Sequence, residues 1–240
     1  MPELETHKYN ANLAYNCTSI EEIYLPKFVS CLFYGNFGYN NGYIVGCTAL
    51  KYISAPNMIS YEHRKGSSSF EGFVSNSINL ISANFPSLSI ICPLPGYETC
   101  AFIVNANKLR TLKLGSLTEN IQNIVYSTNS LIHLEIGENS NCNIRLAYWN
   151  PINALDSSSS SLVEDTDMFS NNLEQFLYNF REYIVKRLAT NSSKTYIYLH
   201  ATTKSYILGE YAQSWTVPGE SETYYVSLNN ELTNRNWGLA

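Results

Sequence analysis

A short spacing of aliphatic residues recurs five times along the first part of the chain. In each occurrence one aliphatic residue is followed by others three and five positions later. The segments are CTSIEEIYLP, CTALKYISAP, SNSINLISAN, ANKLRTLKLG and TNSLIHLEIG, and their patterns start at Ile20, Leu50, Ile78, Leu109 and Leu131. A recurrence of this kind is typical of a repeat protein.

Each segment predicts a short strand with a sharp exit. Residues at the third and fifth positions point to one face of the strand, whereas the second and fourth point to the other. The residues that follow are types that end a strand or turn the chain, namely Pro26, Pro56, Asn84, Gly115 and Gly137. Because one such strand cannot bury its apolar face alone, the units are expected to stack as a solenoid with one strand per repeat.

The first two segments share a longer motif. Both Cys17-x-x-Ile20-x-x-Ile23-x-Leu25-Pro26 and Cys47-x-x-Leu50-x-x-Ile53-x-Ala55-Pro56 combine a Cys, three aliphatic residues and a Pro. These strings resemble the BspA-like class of bacterial leucine-rich repeats. The resemblance implies an α/β fold, in which a right-handed leucine-rich-repeat solenoid stacks parallel strands on its concave face. It also implies adhesion or host contact, outside the cell or at its surface.

The chain divides into three predicted parts. The solenoid occupies residues 1–155, and a Ser-rich acidic stretch at 156–167 predicts a linker. Residues 168–240 are expected to form a small αβ capping unit. Within it, apolar residues on one face predict a helix over 171–189, and the alternation in KTYIYLHATT predicts a strand. The helix is expected to cap the last repeat, with Trp237 anchoring the junction.

The free face of the stacked strands is the predicted ligand surface. Its candidate residues are the mixed aromatic, charged and hydroxyl side chains Glu22, Tyr24, Tyr52, Ser54, Thr111, Lys113, His133 and Glu135. The segment LFYGNFGYNNGY, residues 32–43, predicts an aromatic loop beside this face, with Tyr34 and Tyr39 as further candidates. The alternatives are a merely solvated sheet face and a loop whose rings fold back on the solenoid.

Composition narrows the possible partners. The chain has 240 residues, of which 45% are hydrophobic, with a formal net charge of −5. This charge leaves no basic field for a phosphate backbone, so nucleic acid is not an expected partner. No apolar run is long enough to span a membrane, and the start MPELETHKYN does not resemble a signal peptide. The chain is therefore intracellular or a module of a longer protein, and the sequence leaves the compartment and oligomeric state open.

The sequence offers little for metal, cofactor or catalytic chemistry. Cys17 and Cys47 begin a column of small residues that continues as Ser75, Ala106 and Thr128, which favours inert buried thiols over a disulfide. The four histidines lack metal-ligand spacing, and no cofactor motif is present. Catalytic motifs are also absent, and no spacing argument supports a carboxylate pair such as Glu22 and Glu135. We therefore do not expect an enzyme.

Three functions remain as hypotheses. The first is a non-enzymatic module that binds a protein or glycan through the concave strand face. The second is a structural or assembly piece of a larger bacterial surface or phage-like protein, with contacts made by its ends. The third, a glycan-acting enzyme that uses Glu residues, is the least supported.

Overall fold

The computed structural model describes residues 4–7, 12–33, 42–63, 72–91, 101–120, 123–151 and 173–240. Within them the chain forms 18 strands, four α-helices and a 3₁₀ turn.

Three sheets have five strands each, and a fourth has three. The first sheet contains β1 (Thr6–His7), β4 (Ser30–Phe33), β7 (Ser60–His63), β10 (Ile90–Ile91) and β13 (Glu119–Asn120). The second contains β2 (Ala14–Tyr15), β5 (Gly42–Val45), β8 (Gly72–Ser75), β11 (Ala101–Val104) and β14 (Asn123–Tyr126). The third contains β3 (Glu22–Tyr24), β6 (Tyr52–Ser54), β9 (Ser82–Phe85), β12 (Thr111–Leu114) and β15 (His133–Glu135). The fourth contains β16 (Ile144–Leu146), β17 (Thr195–Leu199) and β18 (Trp237–Leu239).

The fold is mixed α/β, with several sheets of parallel strands and few helices. The chain visits the second, third and first sheets in turn and returns to each of them at every third strand. All the strand pairs in these sheets are parallel. The prediction of one strand per repeat is therefore wrong, because a repeat contributes three short strands to three different sheets.

The third repeat begins at Leu80, two residues later than the sequence pattern predicts. Ser82 pairs with Tyr52 on one side and with Thr111 on the other. Ile78 is 44% exposed, whereas Leu80 is 0% exposed. The corrected pattern is Leu80, Ala83 and Phe85 followed by Pro86, so the third repeat also has the proline of the first two.

A left-handed backbone residue recurs at the turn from the second sheet to the third. Four of these residues carry side chains, and the fifth is Gly46 with φ of 64°. The others are Asn16, Asn76, Asn105 and Ser127, with φ values of 51°, 56°, 53° and 52°. Asparagine tolerates this conformation better than most residues. A side-chain hydrogen bond also joins two of these turns in neighbouring repeats: the Asn105 side-chain nitrogen donates to Asn76 Oδ1 at 2.8 Å.

The core is a single hydrophobic cluster that runs between the three sheets and continues into the fourth sheet and the helices. The aliphatic columns of the corrected pattern point into it and are buried in every repeat except the first, where Ile20 is 36% exposed. Rings from all three sheets fill the centre. Phe73 stacks on Tyr43 and Phe102 with centroid distances of 5.1 and 5.4 Å, and it meets Tyr61 and Phe85 edge-on. Such packing stabilises the fold through large buried area and favourable ring geometry.

The prediction of an aromatic loop over 32–43 is wrong at both ends of the segment, where the residues belong to strands. Leu32 and Phe33 belong to β4, and Gly42 and Tyr43 belong to β5. The Tyr43 side chain is fully buried in the core. The candidates Tyr34 and Tyr39 lie outside the described residues. The predicted linker at 156–167 also lies outside them.

Helices and the fourth sheet form the C-terminal part. The helices are α1 (Leu173–Tyr183), α2 (Ala201–Leu208), α3 (Glu210–Ser214) and α4 (Tyr224–Asn234), and a 3₁₀ turn spans Val185–Arg187. The predicted helix over 171–189 therefore ends earlier, at Tyr183. Its predicted apolar face is packed against the core: Phe176, Leu177, Phe180, Ile184 and Leu188 are buried, and Leu173 is partly buried.

Backbone hydrogen bonds join this part to the chain that follows the last strand of the third sheet. The Ile136 amide donates to the Tyr183 carbonyl at 3.1 Å, and the Ser140 amide donates to the Arg187 carbonyl at 3.2 Å. Trp149 is buried against Phe176 and Phe180. Trp237 is also buried, and its indole nitrogen donates to the Ala189 carbonyl at 2.8 Å. These contacts close one end of the three sheets.

A buried arginine of α1 binds the segment that connects α3 to α4. The Arg181 guanidinium forms an ion pair with Glu220, and it donates to Ser227 Oγ at 2.9 Å and to Glu182 Oε1 at 2.8 Å. The hydrogen bond from Arg181 lowers the pKa of Glu220. The pair therefore strengthens this attachment while the carboxyl group is ionised.

Candidate ligand-binding surface

The outward face of the third sheet carries the predicted ligand-binding residues. Its strands are in register, so side chains from neighbouring strands form straight rows. The inward row is Ile23, Ile53, Ala83, Leu112 and Leu134. One outward row is Glu22, Tyr52, Ser82, Thr111 and His133, and the other is Tyr24, Ser54, Asn84, Lys113 and Glu135. We call the two outward rows the third-sheet face.

Two tyrosines dominate the N-terminal half of the third-sheet face. Tyr24 is 55% exposed and Tyr52 is 48% exposed. Tyr24 lies opposite Ser54, and Tyr52 lies opposite Glu22, so the two rings are diagonal neighbours on adjacent strands. A tyrosine offers a large, stiff surface with a polar tip, which suits it to recognition. The pairing of the two strands fixes the backbone positions of both residues.

The middle of the third-sheet face is small and polar. Ser54, Ser82, Asn84 and Thr111 are all partly buried and lie on three adjacent strands. Hydroxyl and amide groups can donate and accept hydrogen bonds, although Asn84 Oδ1 is itself buried. The sequence pattern missed Asn84 and assigned Leu80 to the outward face, because it placed the third repeat two residues early. The corrected register places Asn84 there and Leu80 in the core.

The C-terminal end of this face is covered by the start of the C-terminal part. His133 is only 6% exposed, and its ring meets Tyr183 edge-on at a centroid distance of 4.7 Å. Glu135 Oε1 accepts from Arg187 Nη1 at 2.7 Å and lies 3.0 Å from Lys113 Nζ. The expectation that His133 and Glu135 face a ligand is therefore corrected. Both residues serve the junction, which the strand pattern could not reveal.

Electrostatics at this junction favour a neutral His133. Burial lowers the pKa of His133, Glu135 acts in the opposite direction, and Arg187 and Lys113 lower it further. The Glu135 carboxylate is 4.0 Å from His133 Nε2. The net effect favours an uncharged imidazole beside Tyr183 near neutral pH.

A groove with a volume of about 340 Å³ runs beside the third-sheet face. It lies where the chain turns from the second sheet into the third. The residues just before strands of the third sheet, Glu21, Lys51, Ile81 and Arg110, line one wall, and the turns add Lys108 and Asn79 among others. We call it the corner groove. Lys51 and Arg110 directly precede Tyr52 and Thr111, so the groove borders the third-sheet face.

The suggested carboxylate pair does not form a catalytic site. Glu22 is on the first strand of the third sheet and Glu135 is on the fifth. Four strand steps of roughly 4.8 Å separate their strands by about 19 Å. Glycosidase carboxylates lie roughly 5 to 9.5 Å apart. These two glutamates therefore cannot act together on one glycosidic bond.

The described part of the chain contains no group of three or more His, Cys, Asp or Glu side chains arranged to hold a metal ion.

Cys17, Cys31, Cys47 and Cys142 are thiols. The small-residue column is Cys17, Cys47, Ser77, Ala106 and Thr128 in the corrected register, with Ser77 in place of Ser75, and all but the partly buried Cys17 are fully buried. Among the described helices, none combines the length and apolar character required to cross a bilayer.

Comparison with known proteins gives no relative. No family model, curated protein or solved structure matches the chain. The third-sheet face and the corner groove are therefore the features that bear on function.

Proposed function

We propose that this protein is a non-enzymatic recognition module that binds a protein or glycan along the third-sheet face. The single observation that carries the proposal is the pair of exposed rings, Tyr24 and Tyr52, held on adjacent in-register strands. Exposed aromatic residues on a rigid sheet bind with little loss of conformational entropy. The small polar groups beside them, Ser54, Ser82, Asn84 and Thr111, supply directional hydrogen bonds.

We further propose that the three five-stranded sheets are the sides of one solenoid, with a coil made of one strand from each sheet. The return of the chain to every sheet at each third strand supports this arrangement. The recurring left-handed residue and the shared core support it as well. Together with the Cys-aliphatic-Pro motif, this repetition is the basis for proposing kinship with BspA-like repeats and a role in adhesion at the cell surface.

Binding measurements on paired variants test the proposed face. A ligand is first identified by applying the purified chain to glycan and protein arrays. Replacing both rings, by Tyr24→Ala and Tyr52→Ala, is expected to weaken its binding by about 2 kcal/mol, or roughly thirtyfold in Kd, because both rings are anchors. The matched control replaces Tyr148 and Tyr178, which are exposed but lie outside the third sheet.

Isothermal titration of the two folded double variants decides between the outcomes. The control should bind within about twofold of the unmodified chain, since surface changes away from a site have small effects. Equal affinity of the Tyr24/Tyr52 variant and the unmodified chain would contradict the assignment of the face.

A second candidate function is assembly through the N-terminal end. The strands β1, β2 and β3 are the terminal strands of their sheets, whereas the C-terminal part covers the opposite end. Edge strands can pair with another chain. Light scattering over a range of protein concentrations tests this function. Self-association would favour it, and a constant monomer mass would argue against it.

A further inference from the structure

We infer that the corner groove binds an anionic polysaccharide whose negative groups recur once per disaccharide. The inference rests on the proposed function, because it names the ligand class for the same region. Three cationic side chains, Lys51, Lys108 and Arg110, line the groove, against one carboxylate, Glu21. The whole chain has a net charge of −5. The groove is thus a local concentration of positive charge on an acidic protein, which favours an anionic ligand.

The wall of the groove is a regular backbone ladder. The Lys51 amide donates to the Glu21 carbonyl, the Ile81 amide to the Lys51 carbonyl, and the Arg110 amide to the Ile81 carbonyl, each at 2.8 Å. The side chains therefore occur in the fixed order Glu21, Lys51, Ile81, Arg110, one per strand step. Because the ladder continues the backbone pairing of the third sheet, the spacing of their backbone positions is fixed.

The spacing of this ladder matches a sugar polymer better than a random polyanion. Lys51 and Arg110 are two strand steps apart, about 9.6 Å at roughly 4.8 Å per step. This distance is comparable to the length of a disaccharide. Between them lies Ile81, whose apolar surface suits the C–H face of a sugar ring. The order of cation, apolar residue and cation therefore fits a chain in which acidic and neutral sugars alternate.

The ion pair between Lys51 and Glu21 does not prevent binding. Lys51 Nζ lies 3.0 Å from Glu21 Oε2, and both side chains are partly open to solvent, with 44% and 65% exposure. Exposed pairs of this kind contribute little stability, so a carboxylate of the ligand can replace Glu21 at small cost. Glu21 then acts as a weak competitor of the ligand. Its removal should strengthen binding.

The third-sheet face, which borders the groove, offers further contacts. Lys51 precedes Tyr52 and Arg110 precedes Thr111. A sugar chain that lies in the groove can therefore place neighbouring rings against Tyr52 and hydrogen bonds on Thr111. The anionic groups set the position along the stack, and the third-sheet face supplies the aromatic contact.

Titration of the full chain with three oligosaccharides of equal length tests the inference. The first is a hyaluronan fragment, in which uronate and N-acetylglucosamine alternate. The second is a polygalacturonate fragment, with a carboxylate on every sugar, and the third is a neutral maltodextrin fragment. We expect the hyaluronan fragment to bind most tightly and its affinity to fall as sodium chloride is raised, because salt screens exposed charges. Equal binding of all three, or binding of the neutral sugar alone, would overturn the inference.

Two variants locate the site. Lys51→Gln combined with Arg110→Gln is expected to weaken hyaluronan binding by about tenfold, from two lost charge contacts. Glu21→Gln is expected to strengthen it by about twofold, a gain that misfolding cannot produce. The control, Lys27→Gln combined with Lys194→Gln, removes the same charge outside the groove and should leave binding unchanged. A loss of affinity equal in the control and groove variants would show a non-specific charge effect and overturn the inference.

The outcomes also separate this inference from the proposed function. If an array ligand depends on Tyr24 and Tyr52 but not on Lys51 and Arg110, the groove assignment fails and the recognition face stands. If a hyaluronan fragment depends on the groove cations but not on the two tyrosines, the third-sheet face fails as the aromatic contact and the anionic site stands.

Discussion

At the scale of single residues, burial in the third repeat depends on a choice that the sequence leaves open. The segment SINLISANFP contains aliphatic residues at both Ile78 and Leu80, and either can begin a pattern of the expected kind. Pairing of Ser82 with Tyr52 and Thr111 selects Leu80. This choice also moves Asn84 to the third-sheet face and restores Pro86 as the strand exit. One pairing register thus decides the role of four residues.

The register predicts that two similar substitutions destabilise the protein by very different amounts. Leu80→Ala is expected to lower the free energy of unfolding by about 3 kcal/mol, because it leaves a cavity in the core. Ile78→Ala serves as the matched control and should cost about 0.5 kcal/mol, since Ile78 is an exposed surface residue outside the core. Urea unfolding followed by circular dichroism measures both values. Equal losses, or a larger loss for Ile78→Ala, would contradict the corrected register.

At the scale of elements, the junction between β15 and α1 explains why two predicted ligand residues are covered. The third-sheet face is open at its first strands, but its last strand meets the end of α1 and the 3₁₀ turn. Arg187 donates to both Glu135 and the Ile136 carbonyl. A capping element must contact the last strand, and the outward side chains of that strand then become interface residues. The sequence predicts the cap but not which outward side chains it covers.

The buried imidazole at this junction predicts a dependence of stability on pH. His133 has a lowered pKa in the folded chain, against an ordinary value of 6.5. Below that value the unfolded chain binds the proton more readily than the folded one, so protonation favours unfolding. The stability linked to neutral His133 is therefore present above the unfolded pKa and is lost as the pH falls toward the folded pKa.

Replacement of His133 by Phe should reduce this loss while keeping a ring against Tyr183. We expect the free energy of unfolding of the unmodified chain to fall more steeply between about pH 7 and pH 5 than that of His133→Phe. Denaturant unfolding at a series of pH values measures the two slopes. Parallel slopes would show that His133 does not contribute to the acid sensitivity.

At the scale of the whole molecule, the two ends of the sheets differ. The C-terminal end is joined to the fourth sheet and α1 by hydrogen bonds and a continuous core. The other end terminates in the short strands β1, β2 and β3, with Ile20 and Ile23 less buried than the equivalent residues of the later repeats. In stacked repeats, stability comes mainly from contacts between neighbours. A terminal repeat therefore has fewer stabilising contacts than an inner one.

This asymmetry predicts the order in which backbone amides exchange with solvent. We expect amides of β3 to exchange faster than those of β9 and β12, and amides of β15 to be protected by the cap. Hydrogen–deuterium exchange with mass spectrometry measures this order. Phe180→Ala, which weakens the packing of α1, should speed exchange in β15 and leave β3 unchanged. Uniform exchange along the chain in both proteins would contradict stacking with one closed end.

A large part of the fold could be predicted from local patterns. The alternation around Ile23, Ile53, Leu112 and Leu134 placed four strands of the third sheet and showed which side chains face outward, because neighbouring residues of a strand point to opposite faces. The apolar face of α1 could also be predicted from the sequence. The first and second sheets were missed, although GYIV, GFVS, AFIV and NIVY recur once per repeat in the second. These strands are buried on both faces, so they show no alternation by which to recognise them.

The sequence by itself therefore determined the repeat, the inward aliphatic columns of four strands and the helix of the cap, since each depends on residues close together in the chain. Only the tertiary structure decided the three strands per repeat, the start of the third repeat at Leu80, the covering of His133 and Glu135, and the corner groove. The physical reason is that backbone pairing and burial join residues at least 22 positions apart, as Leu112 pairs with Leu134 and Lys51 is joined to Glu21 across neighbouring strands. No local spacing specifies which of two aliphatic residues is buried by such a distant neighbour.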